Sequence, residues 1–195
     1  MRGSLLIPVV VWGLLVSFAA RGQSVEQLMA SGSESLRSGD YGSAIARFNK
    51  VLAREPHNFE AQFNLSLAYL NSGRFSDALT QLSKAAGLNP SNSEVWGAMG
   101  YAYERLGKRE QSVSALSKAV NLDPNNIEAR LNLASVYVTF DRPNEAIAQY
   151  KQIIEIDGQN VTALLDLGKC LINKKQYAEA KQYLRQAAAI DPEAG

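Results

Sequence analysis

The sequence predicts an all-α fold, a solenoid of antiparallel helix pairs, and three observations carry the prediction. Pro56, Pro90, Pro124 and Pro192 fall on one grid of 34 residues, with Gly158 in the remaining slot. Cut on that grid, residues 25–58, 59–92, 93–126, 127–160 and 161–194 align without a gap, and self-similarity at a fixed period of this size marks a repeat architecture. Within each unit, residues that share a helical face recur in two blocks, at positions 7, 8 and 11 and at positions 20, 24 and 27. Each unit therefore holds two amphipathic helices, with a turn between them at position fifteen.

Ahead of the repeats, Arg2 precedes the apolar stretch LLIPVVVWGLLVSFAA, from Leu5 to Ala20. The stretch is shorter than the ~20 residues of a membrane span, contains Pro8 and Gly13, and runs into small residues. Ser17-Phe18-Ala19 and Ala20-Arg21-Gly22 both offer small side chains where a signal peptidase reads them. Residues 1–22 are expected to be a signal peptide and 23–195 the repeat domain of an exported protein, periplasmic or secreted. The alternative is an uncleaved anchor over residues 5–20, the one route by which a membrane becomes a partner. No cysteine follows the apolar run, which argues against a lipoprotein.

In the first unit Ser24 stands at the cap of the first helix, followed by Glu26, Gly32, Gly39 at the turn, Ala44, Phe48 and Pro56. The second continues the series with Asn58, Glu60, Ser66, Tyr69, Gly73, Ala78, Leu82 and Pro90. The third has Asn92, Glu94, Gly100, Tyr103, Gly107, Ser112, Leu116 and Pro124. The fourth has Asn126, Glu128, Ala134, Tyr137, Asp141, Ala146, Tyr150 and Gly158, and the fifth Asn160, Gly168, Lys175, Ala180, Leu184 and Pro192. The Ser or Asn accepts from the free amides of the first turn, and the Glu that follows suits the positive end of the helix dipole. Small residues at positions eight and twenty let two helix backbones approach where they cross. Proline stops the second helix in every unit but the fourth, which has Gly158. Position fifteen calls for a left-handed backbone, which glycine adopts freely and Asp141 tolerates. Lys175 would adopt it at a cost of about 1–2 kcal/mol, making the last unit the weaker one.

With 46% hydrophobic residues, the 195-residue chain can bury a core as one domain. Twenty Lys and Arg face nineteen Asp and Glu, with no run of like charge. The clustered cationic surface that a phosphate backbone needs is missing, so nucleic acid is not an expected partner. Cys170 is the only cysteine, which leaves packing rather than a disulfide to hold the fold. It occupies the place of Ala68, Ala102 and Val136 and reads as a buried small thiol rather than a nucleophile. His57 has no second His or Cys at metal-ligand spacing and reads as a solvated turn residue. No Gly-rich phosphate loop or catalytic Ser motif is present, so neither a catalytic residue nor a cofactor nor a metal is expected. The glycosylation-like triplets at Asn64 and Asn160 overlap repeat positions.

Trp96, Met99, Gly100 and Tyr103, followed by Leu116, Ala119 and Pro124, resemble the signature of the tetratricopeptide repeat. The resemblance covers residues 25–194, with local departures at Leu28, Ser31 and Ser35 in unit one and at Pro143 in unit four, where other units have Tyr41, Phe75 or Tyr177. It implies a right-handed superhelix without catalytic activity, whose first helices line a concave groove that holds a peptide or a partner's helix. The groove-facing positions it implies are 2, 5, 6, 9, 12 and 13.

Read at those positions, the groove is apolar, with Met29, Phe63, Leu131 and Leu165 at position five and Leu67 and Tyr101 at position nine. Lys169 continues position nine, while Asn64, Asn132 and Asp166 share position six. An extended apolar surface marks an interaction site, and Asn amides can hold a bound backbone. The alternatives are that these side chains pack against the next unit as ordinary core and that Asn is only a frequent residue at this position. Arg37, Arg105 and Lys169 do not match the spacing of a carboxylate clamp. The expected function is a protein-interaction scaffold with a protein or peptide partner. An adaptor for a longer envelope enzyme and a membrane-anchored assembly factor are the other readings. Tyr177, Tyr183, Leu184, Ala187 and Ile190 would leave the last helix partly bare, so self-association through the C-terminal repeat is a further expectation.

Overall fold

A computed structural model describes residues 23–193; the expected signal peptide or anchor lies outside the described residues. Ten helices follow one another in pairs, and among the described residues there is no strand. The first helices of the units are α1 (Val25–Arg37), α3 (Phe59–Asn71), α5 (Ser93–Arg105), α7 (Ile127–Thr139) and α9 (Val161–Asn173). Their partners are α2 (Tyr41–Arg54), α4 (Phe75–Leu88), α6 (Arg109–Leu122), α8 (Pro143–Ile156) and α10 (Tyr177–Ile190).

Each start and stop has a local cause. Ser24, Asn58, Asn92, Asn126 and Asn160 cap the five first helices, each side-chain oxygen accepting from the amide three residues on at 2.8–3.2 Å. At the turn, Gly39, Gly73 and Gly107 have φ of 80°, 76° and 69°, and Asp141 and Lys175 follow at 56° and 62°. In units two to five the amides of this turn residue and of the one after it reach back in a Schellman arrangement. Gly73 N–H donates to Leu70 O at 3.0 Å and Arg74 N–H to Tyr69 O at 2.8 Å, for example. Pro143 sits at the first position of α8, where its missing N–H costs nothing.

The second helices end at Glu55, Asn89, Asp123, Asp157 and Asp191, with φ between −129° and −138°, the three Asp residues extended and Glu55 and Asn89 just short of it. Extended backbone is what a following proline imposes. Asp157 takes it before Gly158, so proline is not required. Asp123, Asp157 and Asp191 each accept the amide two residues on at 3.0–3.1 Å, an Asx turn that fixes the corner by itself.

Packing follows the small-residue positions. Ala44, Ala78, Ser112, Ala146 and Ala180 are buried, as are Phe48, Leu82, Leu116 and Tyr150 four residues later. A Cβ at Gly32 would lie 2.7 Å from Phe48, at Gly168 2.6 Å from Leu184, and at Gly100 it would collide with Leu116. Ser112 replaces alanine without leaving an orphan hydroxyl, because it donates to Gly100 O at 2.9 Å. The core runs unit to unit as a chain of buried clusters. Successive first helices touch, α1 with α3, α3 with α5 and α5 with α7, whereas no two second helices make an extended contact. The first helices therefore form the inner, concave row.

Candidate functional site

The concave row is built from helix positions that flank the packing face. Position five supplies Met29, Phe63, Gly97, Leu131 and Leu165, all half-buried. At position nine Ser33, Leu67 and Tyr101 are half-buried, and Ser135 and Lys169 are exposed. At position six Asn64, Asn132 and Asp166 are half-buried. The two readings of the apolar row meet in these side chains. Met29, Phe63, Leu67 and Tyr101 lean on one core cluster and Leu131 on the next, and each keeps part of its surface outside. They form the floor of the groove and the roof of the core at once.

The middle of the row deepens into a hollow of about 500 Å³. It lies across α3, α5 and the start of α7 and brings together Phe63, Leu67, Tyr101 and Asn132, four of the ten expected groove residues. Met29, Asn64, Leu131, Leu165, Asp166 and Lys169 lie on the same row but outside this hollow. Aromatic rings stiffen its walls. Phe59 stacks on Phe63 with centroids 6.2 Å apart, and Phe75 meets Tyr101 edge to face at 6.2 Å.

The three cations weighed as clamp candidates are all engaged by nearby side chains. Arg37 pairs with Glu34 at 2.6 Å and Lys169 with Asp166 at 2.9 Å. Arg105 donates to Tyr101 Oη at 3.2 Å and lies 5.0 Å from the centroid of the Phe75 ring. Burial raises the Cys170 thiol above its ordinary value, which disfavours the thiolate a nucleophile needs. Desolvation likewise pushes the Tyr150 phenol up, with the Asp166 carboxylate adding to it. His57 is exposed. Among the described residues no cluster of His, Cys, Asp and Glu could hold a metal ion, and no helix is long and apolar enough to cross a membrane.

Two structural devices escaped the sequence reading. Position four carries Gln62, Trp96 and Arg130, chemically unlike residues that all donate to the carbonyl of the proline six residues earlier, Pro56, Pro90 and Pro124, at 3.2, 2.9 and 2.8 Å. Where Gly158 replaces that proline, position four is the fully buried, apolar Leu164. The second device is the pairing of position eleven with position sixteen. The cations of Arg74, Lys108 and Arg142 lie 4.5, 6.0 and 4.7 Å from the rings of Tyr69, Tyr103 and Tyr137.

Residues 15–195 match the family described as the cilia and flagella-associated protein 70 C-terminal domain. No curated protein matches the sequence significantly. Among solved structures, a crystal structure of MamA protein is 25% identical, with a TM-score of 0.77 over 87% of this chain and 92% of that one. MamA 41-end from Desulfovibrio magneticus RS-1 is 17% identical, with a TM-score of 0.79 over 89% of this chain and 98% of that one. YrrB, described as a TPR protein with an unusual peptide-binding site, is 18% identical, with a TM-score of 0.71 over 93% of each chain.

Proposed function

The chain belongs to the tetratricopeptide-repeat family of the cilia and flagella-associated protein 70 C-terminal domain, and on that premise we propose that it is a non-enzymatic scaffold holding a protein segment in its concave groove. The observation that carries the reading is the half-buried apolar floor of Phe63, Leu67 and Tyr101, sunk in a hollow of about 500 Å³ with Asn132 at its edge. Such a floor is held by the core beneath it, so binding spends little entropy on ordering the scaffold. Large apolar side chains in a partner gain by leaving water, and the amide of Asn132 offers a donor and an acceptor to its backbone. Export of the protein belongs to the same proposal and is supported by the apolar segment from Leu5 to Ala20.

The test is the double substitution Phe63→Glu with Leu131→Glu. Both side chains are half-buried and lean on the core, so the variant is expected to lose some stability while keeping its helices, which circular dichroism checks. Binding to a purified partner is expected to fall below detection. A double variant with native helicity and native affinity contradicts the groove reading.

A further inference from the structure

Gly97 is the one residue at position five without a side chain, between Phe63 in the unit before and Leu131 in the unit after. Glycine inside a helix is destabilising. At Gly32, Gly100 and Gly168 close packing accounts for it, because a Cβ would strike the partner helix. At Gly97, as at Gly87 near the end of α4, a Cβ meets nothing within 4 Å, but of the two only Gly97 lines the hollow. What the glycine leaves instead is space, and that space belongs to the central hollow walled by Phe63, Leu67 and Tyr101. The charged residues lining the hollow are both carboxylates, Glu94 and Glu128. Neither takes part in any of the five ion pairs among the described residues. Arg105, on the same helix as Glu94, is turned onto the rings of Phe75 and Tyr101.

We propose, resting on the groove reading above, that the hollow takes a basic protein segment, one large apolar side chain seated beside Gly97 and a Lys or Arg nearby facing Glu94 and Glu128. The apolar anchor supplies the affinity, since a large side chain filling a desolvated pocket dominates an interface. The two carboxylates supply the choice of partner. They attract a cation during approach and repel an acidic segment that would otherwise fit the same apolar wall.

Selection of a randomised peptide display library against the full-length chain tests this, with the Phe63→Glu, Leu131→Glu double variant as counter-selection. The groove-dependent peptides are expected to combine one large apolar residue with Lys or Arg and to be depleted in Asp and Glu. Gly97→Leu, which fills open space and leaves the fold intact, is expected to weaken the selected peptides by about tenfold or more, with Gly97→Ala weakening them less. Glu94→Lys with Glu128→Lys is expected to invert the charge preference. Groove-dependent peptides that are acidic or indifferent to charge, or that bind the Gly97→Leu protein unchanged, overturn the inference while the groove reading stands. A selection in which counter-selection removes every peptide that binds the native chain overturns both.

Discussion

The inner repeats and the end repeats share one period but are finished differently. At positions three, seven and ten, units two to four carry Ala61, Leu65 and Ala68, then Val95, Met99 and Ala102, then Ala129, Leu133 and Val136, all buried against the preceding repeat. Unit one has Gln27, Ser31 and Glu34 there, exposed or half-buried. The tyrosine and cation pairs of the inner turns give way to Ser35 with Asp40 in unit one and Leu171 with Gln176 in unit five. On the far side, Leu184 is half-buried where Leu82 and Leu116 are sealed, and Tyr177 is 61% exposed. In a solenoid each repeat draws its stability from its neighbours, so the same helix pair is rigid inside the array and looser at its edge. The central hollow lies in the rigid part.

The largest effect that separates the two regions is a core truncation made at equivalent positions. Leu116→Ala is expected to cost about 2–5 kcal/mol, and Leu184→Ala less than about half of that because part of the side chain is already in water. Chemical denaturation of the two variants checks the contrast, and equal losses would erase it. A smaller effect comes from exchanging the turn residues. Lys175→Gly is expected to stabilise by up to about 1 kcal/mol and Gly107→Lys to destabilise by about 1–2 kcal/mol, since both sites have left-handed backbone. Melting temperatures moving in opposite directions are the signature.

The smallest effect is one of pH and is read at the cap of α2 in unit one. Asp40 caps α2 by accepting from Ser43 N–H at 3.0 Å, and hydrogen bonding from Ser43 holds its carboxyl below the ordinary value. A carboxylate lowered in the folded state stabilises above its unfolded pKa, and that stability is lost as pH falls through the lowered value. A slight loss of stability below pH ~4 is expected in the native chain, and a smaller one in Asp40→Asn, where the lowered carboxyls of Glu26 and Glu145 remain. Arg74, Lys108 and Arg142 take this position in the inner repeats, without a side-chain cap, although Arg142 holds the Glu145 carboxyl below its ordinary value by a hydrogen bond. A thermal titration of both proteins reads the difference.

Much of the fold was legible because its causes are local. The proline grid, the capping Asn residues and the turn glycines each act within a few residues, and even the left-handed Lys175 followed from its place in the register. The stop at Gly158 was less legible, because the Asx turn of Asp157 does the work that proline was expected to do. The donors at position four were hidden by their variety, since Gln62, Trp96 and Arg130 share a hydrogen-bond acceptor and little else. At the site, the apolar row could be read from spacing, but how much of each side chain stays outside depends on how neighbouring units stack. Gly97 shows the limit well. Three residues before Gly100 in one helix, it is a vacancy rather than a point of close approach, and only the packing distinguishes them.

The concave row of first helices is the proposed binding face. Chemical-shift mapping of the full-length chain, titrated with a peptide selected against it, puts this to the test. Perturbations centred on Phe63, Leu67, Gly97, Tyr101 and Asn132 are expected. Perturbations confined to α2, α4, α6, α8 and α10 would overturn it.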